Sequence, residues 1–376
     1  MNISRTLLTC LAGFYLLIVS QGVAMCYPAS AFEPHRLLKN SSVVAKIQVL
    51  STKTNGTCID HRFNMTVSCT TAHVKLLSTI KGSPIGEFDI AYPNPKDVGW
   101  ARYPSLGKDE ITLVFLSGNA SPYHFTDINN DQMKVSAALI PFQPQQTPEQ
   151  RLQAEIDTAA NDLRGLDQLL AIERMGQMGG TDAILLLRKF SESPDMVVAA
   201  QALIARIRAN DPPDAGVLLA FLKRNPADFN TGAAMKKYHA TRYNISDLQG
   251  EIIWAVSNSI REDDRHPQHV VRMPGFPYLD FFRQALQADM IKKNDNSLGI
   301  AIGSGLRKLA DKASIPLLIN LLGHSDANLR YFAVTTLARI NGRDDLFIST
   351  GRFHANEQKY LSYWREWWKQ HKDEYK

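Results

Sequence analysis

The sequence ASIPLLINLLGHSDANLRYFAVTTLARING, at Ala313–Gly342, has apolar residues every three or four positions. This spacing places them along one face of an α-helix. The polar residues GHSD interrupt the pattern once, near its middle. We therefore predict two amphipathic helices joined by a short turn, in a stretch that holds no residue with an obvious chemical role.

A second stretch, TDAILLLRKFSESPDMVVAAQALIARIRAND at residues 181–211, repeats this pattern. The first helices of the two stretches match at four apolar positions, where Leu185, Leu186, Leu187 and Phe190 correspond to Leu317, Leu318, Ile319 and Leu322. One helical pair has apolar surface on two sides and cannot bury it alone, so repeated pairs are expected to stack. We predict about four or five irregular pairs between residues 149 and 350.

The 313–342 stretch resembles a HEAT repeat of the short bacterial type. The residues that carry this resemblance are Ile315, Leu318, Leu322, Ser325, Asp326, Leu329, Arg330, Ala333 and Leu337. The resemblance implies a HEAT-type α-solenoid over residues 149–350. Because HEAT-repeat proteins generally bind other macromolecules, it also implies a scaffold rather than an enzyme.

The region from Ser41 to Pro141 has a different period. In SVVAKIQVL the residues Val43, Ala45 and Ile47 lie on one face of a predicted strand, whereas ITLVFL is apolar throughout, as a strand covered on both faces would be. The segments TKTNGT, KGSPIG, YPNPKDVG, SGNASP and DINNDQ predict turns between strands. Short strands at this spacing favour a small barrel or sandwich.

The N-terminal region also resembles, more loosely, the barrel domain of tissue inhibitors of metalloproteinases and netrin-like modules. The resemblance rests on Cys26 before SSVVAKIQVL, on VKLLSTIKG and on KDEITLVFL. It implies an OB-like β-barrel over residues 25–141, and thus a multidomain β plus α protein. In the inhibitors an N-terminal cysteine chelates the protease zinc, so the resemblance implies an alternative function that requires a mature chain beginning at Cys26.

The boundary between the two regions lies in PFQPQQTP. Its prolines and glutamines predict a short stiff linker at residues 142–148. Thr147 is a predicted N-cap, and Pro148 fits the first position of the following helix, where its missing N–H is not needed.

The first 24 residues have the pattern of a secretory signal peptide. Arg5 precedes an apolar run from Leu7 to Val19, and small residues end at Ala24. The run is shorter than the roughly 20 residues of a membrane-spanning helix. We therefore predict an exported protein, periplasmic or extracellular, with no transmembrane segment after cleavage.

Three of the four cysteines remain after cleavage, namely Cys26, Cys58 and Cys69. Export places them in an oxidising compartment, where a disulfide persists. A bridge between Cys58 and Cys69 would close a hairpin-like excursion, while Cys26 could instead reach either of them. The sequence leaves this pairing open.

Two clusters have the residue types of a metal site. His266 and His269, near Asp263 and Asp264 in the predicted loop DDRHPQHVVRMPGFP, are zinc-ligand types, but we favour a solvated loop because no second ligand cluster is near. The calcium-like alternation in DINND, at Asp127, Asn129 and Asp131, lacks the Gly and Glu of a full loop. We predict a polar hairpin turn there, between YHF and QMKV.

No catalytic motif stands out. Ser117 follows an apolar strand, but the G-x-S-x-G elbow is absent. The net charge of +5 is mild, and no basic stripe alternates with aromatic residues, so nucleic-acid binding is not expected. We predict no catalytic residue, no cofactor and no metal.

The tail NEQKYLSYWREWWKQHKDEYK, within residues 351–376, places aromatic residues at helical spacing: Tyr360, Tyr363, Trp364, Trp367 and Trp368. We favour a helix that caps the last repeat over a partner-binding surface, for which these five residues and Arg330 are the candidates. Asp326 lies four residues before Arg330 and is suited to the start of its helix, where the two would pair.

These observations together predict an exported, non-enzymatic binding or scaffold protein whose partner is a protein or an extracellular polymer. A metalloproteinase inhibitor acting through Cys26 is the alternative, and an unrecognised hydrolase is a third hypothesis.

Overall fold

The computed structural model describes residues 33–60, 65–94, 105–126, 132–224, 248–263, 266–287 and 296–375. A mixed sheet of six strands occupies the N-terminal part, and helices occupy most of the C-terminal part. The chain therefore combines β and α regions in the order that the change of period predicts.

The N-terminal strands pair in a closed circuit. They are β1 (Val43–Asp60), β2 (Met65–Lys81), β3 (Glu87–Pro93), β4 (Ile111–Ser117), β5 (Tyr123–Phe125) and β6 (Gln132–Lys134). The circuit runs β1-β2-β3-β5-β4 and returns to β1, with β3 and β5 parallel and the other pairs antiparallel. The short strand β6 pairs with β4.

Two turn predictions in this region are wrong. The segment TKTNGT at residues 52–57 lies inside β1, because a bulge absorbs Gly56 and the pairing with β2 continues to Asp60 opposite Met65. YHF and QMKV do not form a hairpin in the described pairing, since β5 and β6 both pair with β4.

The two faces of the sheet pack against different clusters, as the alternation predicts. Val43, Ala45 and Ile47 belong to one hydrophobic cluster, formed by residues of the strands β1–β5 and Leu106. Val44 and Phe115 belong to a second cluster that continues into the helices. Strand β4 contributes alternate residues to both clusters and is covered on both faces, which explains why ITLVFL is apolar.

One described helix precedes the strands, and the described helices after the sheet are arranged in pairs. They are α1 (Pro34–Asn40), α2 (Pro148–Asp162), α3 (Leu166–Met178), α4 (Thr181–Ser191), α5 (Met196–Arg208), α6 (Ala215–Leu222), α7 (Leu248–Ser259), α8 (Tyr278–Gln287), α9 (Asn296–Leu309), α10 (Ile315–Leu321), α11 (Ala327–Ile340), α12 (Thr350–Ala355) and α13 (Glu357–His371). Thr147 caps α2 in a capping box with Gln150, and Pro148 is its first residue, as predicted.

Successive pairs pack in series. The sequence Ala313–Gly342 forms α10 and α11, and the matching stretch at residues 181–211 forms α4 and α5. The second helix of each pair contacts the second helix of the next, in the order α3, α5, α7, α9, α11 and α13. One hydrophobic cluster extends through these helices. No helix among the described residues has both the length and the apolar character to cross a membrane.

The predicted loop at residues 263–277 is partly wrong. Strands β7 (Arg261–Asp263) and β8 (His266–Val271) form an antiparallel ribbon between α7 and α8. Val270 and Val271 pair with Glu262 and Arg261 of β7, and β-branched residues of this kind favour strands.

Candidate partner-binding surfaces

The C-terminal helix α13 buries part of its aromatic stripe. Trp364 has no exposed surface and Tyr360 is 8% exposed, because both pack into the cluster shared by the helices. Tyr363, Trp367 and Trp368 pack against the same cluster and are only partly buried. Of the five predicted aromatic candidates, these three retain surface that a partner can contact.

The partly exposed rings also contact one another. Trp367 stacks on His371, with ring centroids 4.5 Å apart and an angle of 11° between planes. His371 Nδ1 lies 2.7 Å from the carbonyl oxygen of Trp367. Tyr375 lies against Trp367 and Trp368 at centroid distances of 6.3 and 5.8 Å. The stripe is thus a packed aromatic cluster at the end of the described helices.

Arg330 is held within the protein. Its guanidinium forms an ion pair with Glu357 and donates hydrogen bonds of 2.8 Å to the carbonyl oxygens of both His324 and Ser325. Asp326 instead caps α11, where its side chain accepts hydrogen bonds from backbone N–H groups. The structure therefore places Arg330 on Glu357 rather than on Asp326, and ties the turn before α11 to the start of α13.

A buried ion pair joins the sheet to the first helix pair. Lys46 Nζ on β1 lies 3.0 Å from Glu155 Oε2 on α2, and neither side chain has exposed surface. Lys46 also donates to the carbonyl oxygen of Ala138 at 2.6 Å, and Ser78 donates to Glu155 at 3.4 Å. Burial raises the pKa of the Glu155 carboxyl, and the contacts with Lys46 and Ser78 oppose this shift. Alternation along β1 puts Lys46 on the face opposite Val43, Ala45 and Ile47, but no local pattern identifies its partner 109 residues later.

A polar cluster lies on the outer face of β2 and β3. His73 Nδ1 is 2.8 Å from Asp89 Oδ1, and its Nε2 is 3.2 Å from Glu87 Oε2. The hydrogen bond with Asp89 and then that with Glu87 raise the pKa of His73. Sequence analysis missed this cluster, because alternation assigns each residue to a face but does not give the register that places His73 opposite Asp89.

One of the cysteine pairings that the sequence leaves open is present in the structure. Cys58 and Cys69 form a disulfide across β1 and β2, with Cα atoms 5.1 Å apart. Neither is then available to Cys26, which lies outside the described residues. The bridge fastens the part of the β1–β2 pair that extends beyond the circuit of strands.

The remaining candidates are Ser117 and the residues of the two predicted metal clusters. Ser117 Oγ donates to the carbonyl oxygen of His124 at 3.3 Å. His266 and His269 lie on β8, at the positions given by its backbone. Within the described residues, no group of three or more His, Cys, Asp or Glu side chains is arranged to hold a metal ion. Other residues of the two predicted clusters lie outside those residues: Asp264, Asp127, Asn129 and Asp131.

Comparisons with known proteins give no assignment. No family model, curated protein or solved structure matches the chain.

Proposed function

We propose that the protein is an exported, non-enzymatic binding or scaffold protein. An OB-like barrel within residues 25–141 and a HEAT-type solenoid over residues 149–350 together bind a protein or an extracellular polymer. The observation that carries this proposal is the serial packing of helix pairs, which share one core with the outer face of the sheet. Such an array offers a surface that grows with each pair, as repeat proteins use for binding.

The pairing of the strands supports the barrel. A circuit that returns to β1, with one parallel contact between β3 and β5, removes the open edges that a flat sheet of these strands would have. A five-stranded Greek-key barrel is the architecture of OB folds. The core enclosed by the circuit contains inward side chains from β1 to β5, as a small filled barrel requires.

The packing of the helices supports the solenoid and the cap. Each pair contacts its neighbours in the chain, and the Arg330–Glu357 ion pair links the last repeat to α13. Burial of Tyr360 and Trp364 closes the apolar end of the array, as a terminal repeat requires.

The disulfide supports export. Bridges of this kind persist in oxidising compartments and are rare in the cytosol. The Cys58–Cys69 bridge agrees with the signal peptide that the sequence predicts at residues 1–24, and favours a periplasmic or extracellular location.

Site-specific photo-crosslinking in the exporting host tests the proposal. A photoreactive residue would replace an exposed apolar side chain of the helical region, Leu185 or Val217, or one of the sheet region, Met65. We expect one discrete adduct of the same partner from at least one position in each region. The buried position Leu187 is the matched control and should give no such adduct.

Two results would contradict the proposal. One is the lack of any specific adduct from the exposed positions under conditions where the protein is exported and folded. The other is turnover by the purified protein in a broad hydrolase screen, which would favour the enzyme hypothesis.

A further inference from the structure

Strand β1 has an unpaired edge where it extends beyond the circuit of strands. β4 pairs with β1 only over Val43–Gln48, and the last backbone hydrogen bonds on that side join Val49 to Asp109 and Glu110. From Ser51 onward β1 pairs with β2 alone. Within the described residues, no backbone hydrogen bond reaches the other edge of this part of β1.

Among the described residues no element covers this edge, and the edge itself is weakly protected. Residues 51–57 are exposed, and the side chain of Ile59 is 55% exposed. Proteins usually guard such an edge with charged residues, prolines, bulges or a covering element. The segment Ser51–Asp60 contains one lysine, one aspartate and no proline. Apart from its bulge, this edge is therefore free to accept another strand.

The bulge divides the edge into two equal parts. The register with β2 shifts between Thr54 and Thr57, and Gly56 there has φ 68° with open space where a Cβ would be. One regular segment of four residues lies on each side of the bulge: Ser51–Thr54 before it and Thr57–Asp60 after it. A strand that continues straight past this edge would lose its pairing at the bulge.

We propose that this edge pairs, antiparallel, with the same edge of a second copy of the chain, around a two-fold axis at the bulge. Each copy then places Ser51–Thr54 against Thr57–Asp60 of the other. The two bulges meet at the axis, so both regular segments remain paired. In this register Lys53 of one copy is diagonal to position 60 of the other, so residues of opposite charge occupy neighbouring register positions at two places.

The lengths of the strand edges favour a second copy as the occupant. The described strands β5 and β6 have three residues each and β8 has six, so each is shorter than the Ser51–Asp60 edge. The two equal segments on either side of the bulge give this edge a matching partner in the same edge of another copy. A two-fold contact of this kind uses the same surface on both partners and closes at a dimer.

Sedimentation velocity on the full mature protein, with its disulfide intact, tests the proposal. We expect a concentration-dependent dimer. Lys53→Asp places like charges diagonally at two sites and should weaken the dimer about tenfold. Lys53→Asp combined with Asp60→Lys restores the opposite charges and should restore most of the affinity. Ile85→Lys changes an exposed apolar residue in the turn between β2 and β3, and should leave the dimer unchanged.

A protein that stays monomeric across the concentration range would overturn the proposal, as would a dimer insensitive to Lys53→Asp. Circular dichroism and the mass of the disulfide-bonded chain show whether each variant is folded. If Lys53→Asp does not fold, Ile59→Lys introduces a charge at the same edge and must weaken the dimer.

Discussion

At the residue scale, the Lys46–Glu155 pair joins the sheet to the helices through two charged side chains. Both side chains are fully buried, and each has a second polar partner. A buried pair costs much desolvation free energy when it forms, but removal of one member leaves the other charged and unpaired. Replacing Lys46 or Glu155 alone should therefore destabilise the protein far more than replacing both with apolar residues.

We predict that Lys46→Met lowers the free energy of unfolding by about 3–5 kcal/mol. Lys46→Met with Glu155→Leu should recover most of this loss, because neither charge then remains buried. Urea denaturation measures both changes. The matched control is Arg283→Met, which breaks an exposed pair with Asp280 and should cost less than about 1 kcal/mol. Equal losses in the single and double variants would contradict the prediction.

His73 gives a second prediction at this scale. Its pKa is raised above the ordinary value of 6.5 by Asp89 and Glu87, so the folded chain binds its proton more tightly than the unfolded chain. The resulting stabilisation is fully present below pH 6.5 and is lost as the pH rises through the raised pKa. Solvent screens this exposed cluster, so we expect a small effect.

Proton NMR titration of His73 measures the shift directly. Asp89→Asn should bring the pKa of His73 down more than Glu87→Gln, because the Asp89 contact is shorter. Asp109→Asn removes a carboxylate from the turn before β4 and should have no effect. A His73 pKa that is the same in all three variants and in the parent protein would contradict the prediction.

At the scale of elements, several helix contacts depend on glycine. A Cβ on Gly176 of α3 would lie 2.5 Å from the carbonyl oxygen of Ala205 and 2.8 Å from its Cα on α5. In α9, a Cβ on Gly303 or Gly305 would meet the ring of Phe332 or Phe282. Backbone atoms cannot move aside as a flexible side chain can, so the α3–α5 contact is the strictest of these.

We predict that Gly176→Ala destabilises the protein by about 1–3 kcal/mol, because α3 and α5 must separate. Gly351→Ala is the matched control, since Gly351 lies in α12 with no atom within 4 Å of a Cβ. Alanine favours a helix over glycine, so this control should be neutral or stabilising by up to about 1 kcal/mol. The midpoint temperatures of thermal unfolding distinguish Gly176→Ala from Gly351→Ala. The prediction would be wrong if both variants had the same transition temperature as the parent.

The sequence predicts some of the strands and helices correctly and others wrongly. Alternation predicted the inner face of β1 and the double coverage of β4, because both depend on local spacing. The stretch at Ala313–Gly342 predicted α10 and α11 for the same reason. The TKTNGT turn was wrong because pairing with β2 outweighs local turn preference. The partners of His73 and Lys46 could not be predicted. The contact of His73 depends on strand register, and that of Lys46 on packing between distant parts of the chain.

At the scale of the whole molecule, sheet and helices share a core. Val44, Leu113 and Phe115 of the sheet belong to the same cluster as the residues of α2 and α3. The linker predicted at residues 142–148 thus connects two regions that bury surface against each other. This shared cluster and the Lys46–Glu155 pair join the helices to the strands.

We predict that a fragment ending at residue 141 exposes this face of the sheet. Val44, Leu113 and Phe115 would become accessible to water, and Lys46 would lose Glu155. The fragment should aggregate or bind a hydrophobic dye strongly, whereas the full mature chain should not. A monomeric, well-folded fragment with little dye binding would show that the shared core is dispensable for the strands.

The inhibitor hypothesis requires Cys26 at the N-terminus of the mature chain, whereas the proposed scaffold function does not. The intact mass of the mature protein from its host, with and without reductant and thiol alkylation, separates the two. The scaffold proposal predicts a chain that starts at Met25, with the Cys58–Cys69 disulfide and one thiol at Cys26 that is open to alkylation. A chain that starts at Cys26 would contradict it and favour the metalloproteinase inhibitor, and a chain that keeps residues 1–24 without a disulfide would contradict export.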